Sequence, residues 1–258
     1  MTGLDFSDRV ERVSPSATLA ISNEASALES KGIDVVDLSV GEPDFDTPEN
    51  IKAAARDALA AGETGYTPSP GIPQLREAIA EKLRGDGLDH DAENVMVTPG
   101  AKQALYEVFQ TVIDDGDEVV LLDPAWVSYE AMARLAGGSL VRVDTTPHEF
   151  RLSGALDDLQ AAVSDETELL VVNSPGNPHG MVYDDRALRA VRDLAVEHDI
   201  TVISDEIYQH ITYDEHDPTS LGSLSGMDER TITVNGFSKA YAMTGWRLGY
   251  FAGPESLV

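Results

Sequence analysis

Glu168-Leu169-Leu170-Val171-Val172 runs into Asn173-Ser174-Pro175-Gly176; a helical pattern then spans Asp184 to His198, and Thr201-Val202-Ile203 leads into Ser204-Asp205-Glu206. The reading of this stretch decides the fold. Both short runs are rich in β-branched and leucine side chains and close on turn chemistry, which marks them as strands. Between them Leu188, Val191, Leu194 and Ala195 form one apolar stripe at three- and four-residue spacing, the mark of an amphipathic helix. Strand, helix and strand in succession imply parallel neighbours in a buried sheet, with the helix packed on a face.

The same alternation extends both ways. Upstream, Val95-Met96-Val97 precedes Thr98-Pro99-Gly100 and a helix from Ala101 to Ile113. Glu118 to Leu122 is a strand closed by Asp123-Pro124, followed by a helix over 127–136, a strand from Leu140 to Val143 and a helix from Ala155 to Val163. Downstream, Thr231 to Val234 and Leu248 to Phe251 supply the last strands. The fold class is α/β, a mainly parallel sheet with helices on both faces, whose ligands are expected at the loops beyond the strand ends. The first ninety residues differ. A helix is expected from Ser16 to Lys31, capped by Ser14 or Ser16 with Pro15 near its start, then a short strand from Asp34 to Val40 and a break at Gly41-Glu42-Pro43-Asp44. Helices over 48–61 and 73–84 flank a Gly/Pro-rich loop, Gly62 to Gly71, around Tyr66. The expected division is an N-terminal segment, 1–45, and a large domain, 46–258.

The 258 residues hold 18 Lys and Arg against 46 Asp and Glu, a formal net charge of −28. Nucleic acid and anionic membrane are gripped by clustered positive charge, so neither is an expected partner. A hydrophobic content of 42% is ordinary for a globular chain and argues against disorder. The absence of cysteine excludes disulfides, thiolate nucleophiles and Cys-based metal sites. Apolar runs such as Val119-Val120-Leu121-Leu122 fall far below the ~18 residues of a membrane helix, and Met1 to Arg9 lacks the layout of a signal peptide. So acidic a surface repels itself unless salt screens it, and in 1 M salt the Debye length is only about 3 Å. The expectation is a cytoplasmic, halophilic protein. Histidines 90, 148, 179, 198, 210 and 216 show no metal-ligand pattern and are expected in surface or capping roles, so no metal is expected. No glycine-rich nucleotide loop is present.

Lys239 is one of five lysines, and it follows a strand and the small-residue turn Asn235-Gly236-Phe237-Ser238. A lysine at a strand end in apolar surroundings can have its amine pKa lowered and act as a Schiff-base nucleophile; an ordinary solvated lysine is the other reading. Its neighbours extend the pattern. The stretch Ser238-Lys239-Ala240-Tyr241-Ala242-Met243-Thr244-Gly245-Trp246-Arg247-Leu248-Gly249-Tyr250 resembles the active-lysine signature of class I/II aminotransferases, fold-type I enzymes that use pyridoxal 5′-phosphate. Gly41-Glu42-Pro43-Asp44-Phe45, Tyr66 with Pro70-Gly71, and Pro99-Gly100-Ala101-Lys102-Gln103-Ala104-Leu105 resemble further blocks of that family. So do Pro124-Ala125-Trp126, Asn173 to Gly180 and Ser204-Asp205-Glu206-Ile207-Tyr208, all in the family's order; the prokaryotic aspartate/aromatic branch is the most similar.

The resemblance implies roles for particular residues. Lys239 would hold the cofactor as a Schiff base and move the substrate's proton; Asp205 would face the pyridine nitrogen, although a strand-end Asp is also an ordinary N-cap. Asn177 and Tyr208 would hydrogen-bond the ring's phenolic oxygen, and Trp126 would lie on the ring, where a lone Trp could equally be core. The backbone N–H groups of Ala101 and Lys102 open a helix and would meet the phosphate, with Arg247 as a bidentate clamp and Tyr66 reaching in from the neighbouring subunit of a homodimer. Gly41, Trp126 and Asn177 would border the substrate, Gly41 by close backbone approach to its carboxylate. Three positions depart from the pattern: Gly236 stands where many relatives carry a phosphate-binding Ser or Thr, His179 where Thr is common, and Gly176 where Asn is common. The implied fold is the fold-type I large domain with most of the C-terminal small domain missing, and the segment 1–45 is the N-terminal arm and a contribution to the small domain. The implied activity is transamination between an aspartate- or aromatic-like amino acid and a 2-oxo acid. Two alternatives stay open: a fragment that binds cofactor weakly or serves only as an interaction partner, and a PLP-dependent β-eliminating lyase.

Overall fold

A computed structural model of the chain describes residues 5–15, 17–214 and 216–258. In chain order the helices are α1 (Asp8–Glu11), α2 (Ala17–Glu29), α3 (Glu49–Ala60), α4 (Pro73–Gly85), α5 (Ala101–Val112), α6 (Val127–Ala136), α7 (Leu156–Ala162) and α8 (Asp185–His198). The strands are β1 (Val95–Thr98), β2 (Glu118–Asp123), β3 (Ser139–Asp144), β4 (Thr167–Asn173), β5 (Thr201–Asp205), β6 (Thr231–Gly236) and β7 (Gly249–Ala252). They form one sheet in the order β1-β7-β6-β5-β4-β2-β3. β7 runs antiparallel to both its neighbours, and the remaining pairs are parallel.

Strand parity sorts the apolar side chains into two layers. Val120, Leu122, Leu170, Val172 and Val202 face α7 and α8, where Leu159, Leu188 and Val191 are buried. Val119, Leu121, Leu169, Val171 and Ile203 face the other way, onto Leu105, Val108 and Phe109 of α5 and Met132 of α6. The strands β2, β4 and β5 are thus apolar on both sides, which explains the continuous runs seen in the sequence. α8 starts where Asp184 accepts a hydrogen bond from the Ala187 N–H at 2.8 Å, and it stops at Asp199 in a left-handed conformation. A third cluster joins Ile79 and Leu83 of α4 to Val95, Tyr250 and Ala252 at the β1–β7 edge.

Two expectations are corrected. Asp34 to Val40 is not a strand: no strand pairs with it, and Val36 and Leu38 are 84% and 90% exposed. An apolar run without a ladder partner cannot satisfy its backbone as a strand. His90 is buried, 6% exposed, and burial lowers its pKa, so a surface role does not describe it. His179 is half-buried, stacking on Phe150 with ring centroids 5.6 Å apart. The expected cap at Ser16 lies outside the described residues. Among the described residues, no helix is long and apolar enough to cross a membrane, and no three His, Cys, Asp or Glu side chains gather as a metal site.

Candidate functional site

The parallel strands β4, β5 and β6 end side by side. Asn173 pairs with Asp205, Asp205 with Val234, and Gly236 with Gly249, so one edge of the sheet collects the residues that follow these strands. Asp205 is 3% exposed. Its Oδ2 accepts the Tyr129 hydroxyl at 2.7 Å, and its Oδ1 accepts the Ile207 N–H at 3.2 Å. Burial pushes its carboxyl up to about 6 against the pull of those two donors. Tyr129 is wholly buried and its hydroxyl is pushed far up, by desolvation first and then by Asp205, so it remains a neutral donor. The sequence reading missed this residue. Its signal was its place three residues beyond Trp126 on α6, on the same buried stripe as Met132 and Ala133.

Beyond β5 the chain turns at once. Tyr208 lies in that turn and accepts from Asn177 Nδ2 at 3.3 Å; the Asn177 N–H is in turn held by Asn173 Oδ1 at 2.7 Å. Lys239 follows β6. Its Nζ donates to the Gly41 carbonyl at 2.6 Å and lies 5.6 Å from the centre of the Tyr208 ring. Burial lowers the Lys239 amine pKa, against the opposing pull of Glu42. A Cβ at Gly41 would meet nothing within 4 Å, so its neighbours among the described residues do not demand a glycine.

A second group gathers at the start of α5. Gly100, with φ +90°, turns the chain into the helix without a side-chain cap, which leaves the first N–H groups, those of Ala101 and Lys102, without intrahelical partners. The Arg247 guanidinium lies against Gly100, where a Cβ would come 2.6 Å from Nη2, and Arg247 Nη1 donates to the Thr244 carbonyl at 2.7 Å. Gly249 packs on the same point: a Cβ there would lie 2.6 Å from the Gly100 carbonyl carbon and closer still to the Ala101 nitrogen. Trp126 precedes α6 with its ring 5.3 Å from that of Tyr129, edge to face, and the Lys102 ammonium sits 4.9 Å above it. Desolvation and the Arg247 charge lower the Lys102 pKa.

The edge therefore brings together Lys239, Tyr208 and Asn177, links Asp205 through Tyr129 to Trp126 and Lys102, and sets Arg247 beside the start of α5. Tyr66 touches none of them; its ring is fully exposed. The donors fit pyridoxal phosphate. A buried carboxylate that ionises at a cost gains from a protonated ring nitrogen, a lowered amine suits covalent attachment, and unpaired helix N–H groups beside an arginine suit a phosphate.

The sequence pattern described as "Aminotransferase class I and II" matches residues 33–258. The aspartate/prephenate aminotransferase of Thermus thermophilus is 50% identical over 262 residues, covering 100% of this chain and 66% of that protein. The structure of the Thermus thermophilus aspartate aminotransferase with maleate superposes with a TM-score of 0.94 at 50% identity, over 100% of this chain and 66% of the other. The aromatic aminotransferase of Pyrococcus horikoshii gives 0.87 at 47% identity, over 97% and 62%. The chain thus spans about two-thirds of the length of the curated relatives it matches. It belongs to the class I and II aminotransferases, a family that depends on pyridoxal 5′-phosphate.

Proposed function

We propose that this chain carries the cofactor-binding part of an enzyme that transfers the amino group of an aspartate- or aromatic-like amino acid to a 2-oxo acid. The observation that carries the reading is Lys239: a half-buried amine with lowered pKa, on the same sheet edge as the buried Asp205 carboxylate. When bound, pyridoxal phosphate supplies an electron sink for the carbanion at the substrate Cα. Lys239 Nζ would hold the cofactor covalently and, as a free neutral amine, would take and return a proton at the substrate Cα. Burial keeps a larger share of that amine neutral than an exposed lysine would, as a base requires.

Asp205 would face the ring nitrogen and hold its proton, with Tyr129 keeping the carboxylate aimed. Tyr208 and Asn177 would donate to the phenolic oxygen. Trp126 would cover the ring. Ala101 and Lys102 offer N–H groups to the phosphate, and Arg247 offers its planar fork. The Gly41 backbone borders the substrate carboxylate, with Trp126 and Asn177 beside it. Tyr66 serves the phosphate of a second copy in a homodimer; its full exposure within one chain supports that reading. We keep the division into an N-terminal segment, 1–45, and a large domain, 46–258, as part of this reading; among the described residues the three apolar clusters begin only at Leu75, so 1–45 and 46–74 alike lie outside them.

Borohydride reduction of the pyridoxal-phosphate-treated protein, followed by peptide mapping, tests the assignment. The label is expected on Lys239 and absent from Lys239→Ala; a label on another lysine overturns it. Amino-for-oxo exchange between two substrates identifies transamination, whereas pyruvate and ammonia from one substrate identify a lyase.

A further inference from the structure

The turn that follows β5 has two faces. Asp205 and Tyr208 belong to the site, whereas Glu206 and Gln209 point into a polar network between α4 and the 220–223 turn. Glu206 is buried, and its Oε1 accepts from Ser204 Oγ at 2.8 Å and Ser220 Oγ at 2.7 Å. Gln209 Oε1 receives two donors from different elements: the Lys82 ammonium of α4, which also pairs with Asp86 at 2.5 Å, and Asn235 Nδ2 of β6 at 3.2 Å. Asn235 lies four residues before Lys239. A single side-chain oxygen therefore ties the turn that bears Tyr208 to the strand that delivers Lys239.

We propose that Gln209, held by Lys82 and Asn235, is a positioning residue for Tyr208 and sets how its phenol meets the cofactor's phenolic oxygen. This rests on the cofactor reading above. At its first end the turn is pinned by Glu206 to Ser204 and Ser220. At its far end, among the described residues, the other local ties are two backbone bonds, Gln209 N–H to the Glu206 carbonyl at 2.9 Å and Ile211 N–H to the Tyr208 carbonyl at 2.7 Å, and the long 3.3 Å bond that the Tyr208 hydroxyl accepts from Asn177. Releasing Gln209 frees the turn to pivot about Glu206, which moves Tyr208 and leaves Asp205 in place. The effect is selective: the property set by Tyr208 changes, and cofactor retention through Asp205 and the phosphate donors does not.

Two measurements test this. The first is the pH midpoint at which the visible band of the lysine-bound cofactor changes. A hydroxyl that donates to the phenolic oxygen favours its anion and lowers that midpoint. Gln209→Leu and Lys82→Met are expected to raise it by about one pH unit, in the same direction as expected for Tyr208→Phe, with unchanged cofactor affinity. Gln209→Glu, which keeps the acceptor, is expected to stay near the unsubstituted protein. If Tyr208→Phe shifts the midpoint and Gln209→Leu does not, the proposal is wrong. The second measurement uses protein without cofactor: amide exchange at Ile211 is expected to quicken about tenfold in Gln209→Leu, while exchange within β5 stays the same. Equal rates at Ile211 overturn the proposal even if no visible band forms; the missing band alone would count against the cofactor reading.

Discussion

Asp205 keeps a carboxyl where ionisation is costly. Its folded pKa of about 6 lies above the ordinary 3.8, so its contribution to stability is fully present below pH 3.8 and is lost as pH rises through about 6. A difference of about two pH units corresponds to about 3 kcal/mol. Asp205→Asn in protein without cofactor is therefore expected to melt up to about 10 °C higher at pH 8 and no higher at pH 4, while its cofactor affinity falls. Equal melting at pH 8 would show that the carboxylate is not strained by burial. Asp205 and Lys239 stood out in the sequence because one closes a β run and the other follows a β run and a four-residue turn, each in a short motif. Tyr129, which holds Asp205, did not: a tyrosine on an apolar helical stripe looks like core, and only the sheet edge beneath shows what its hydroxyl meets. The tie from Lys82 to Gln209 was hidden for a related reason, since 127 residues separate its partners.

Elements were legible wherever both faces are buried. The helix over 127–136 falls where the spacing puts it, and β4, β5 and β6 extend the expected strands by one or two residues toward the site. The segment 34–40 misled because apolar side chains alone do not make a strand; a ladder partner must exist. The meeting of β7 with the start of α5 depends on a glycine pair that local sequence does not explain. Gly249→Ala is expected to push the Ala101 N–H group out of place, costing about 1–3 kcal/mol in stability and weakening phosphate binding. Thermal melting and titration with pyridoxal phosphate check the two effects separately; loss of stability with unchanged affinity would remove the start of α5 from the phosphate site.

At the scale of the whole molecule, charge dominates. With a net charge of −28, the folded chain repels itself at low ionic strength. Raising KCl from 0.05 M to 2 M is expected to raise the melting temperature by about 10 °C or more as screening shortens the reach of that repulsion. A flat response would show that the acidity is unrelated to salt. The order of strands has a consequence of another kind. Among the described residues β1 has β7 as its only neighbour in the sheet, and the two are about 150 residues apart in the chain. At a synthesis rate of roughly 5 to 20 residues per second, β1 leaves the ribosome roughly 8 to 30 s before its partner exists. The corner where Gly100, Ala101 and Arg247 meet therefore closes only once β7 has been made, so the proposed phosphate cradle forms after the parallel strands β2 to β6 are available to pair.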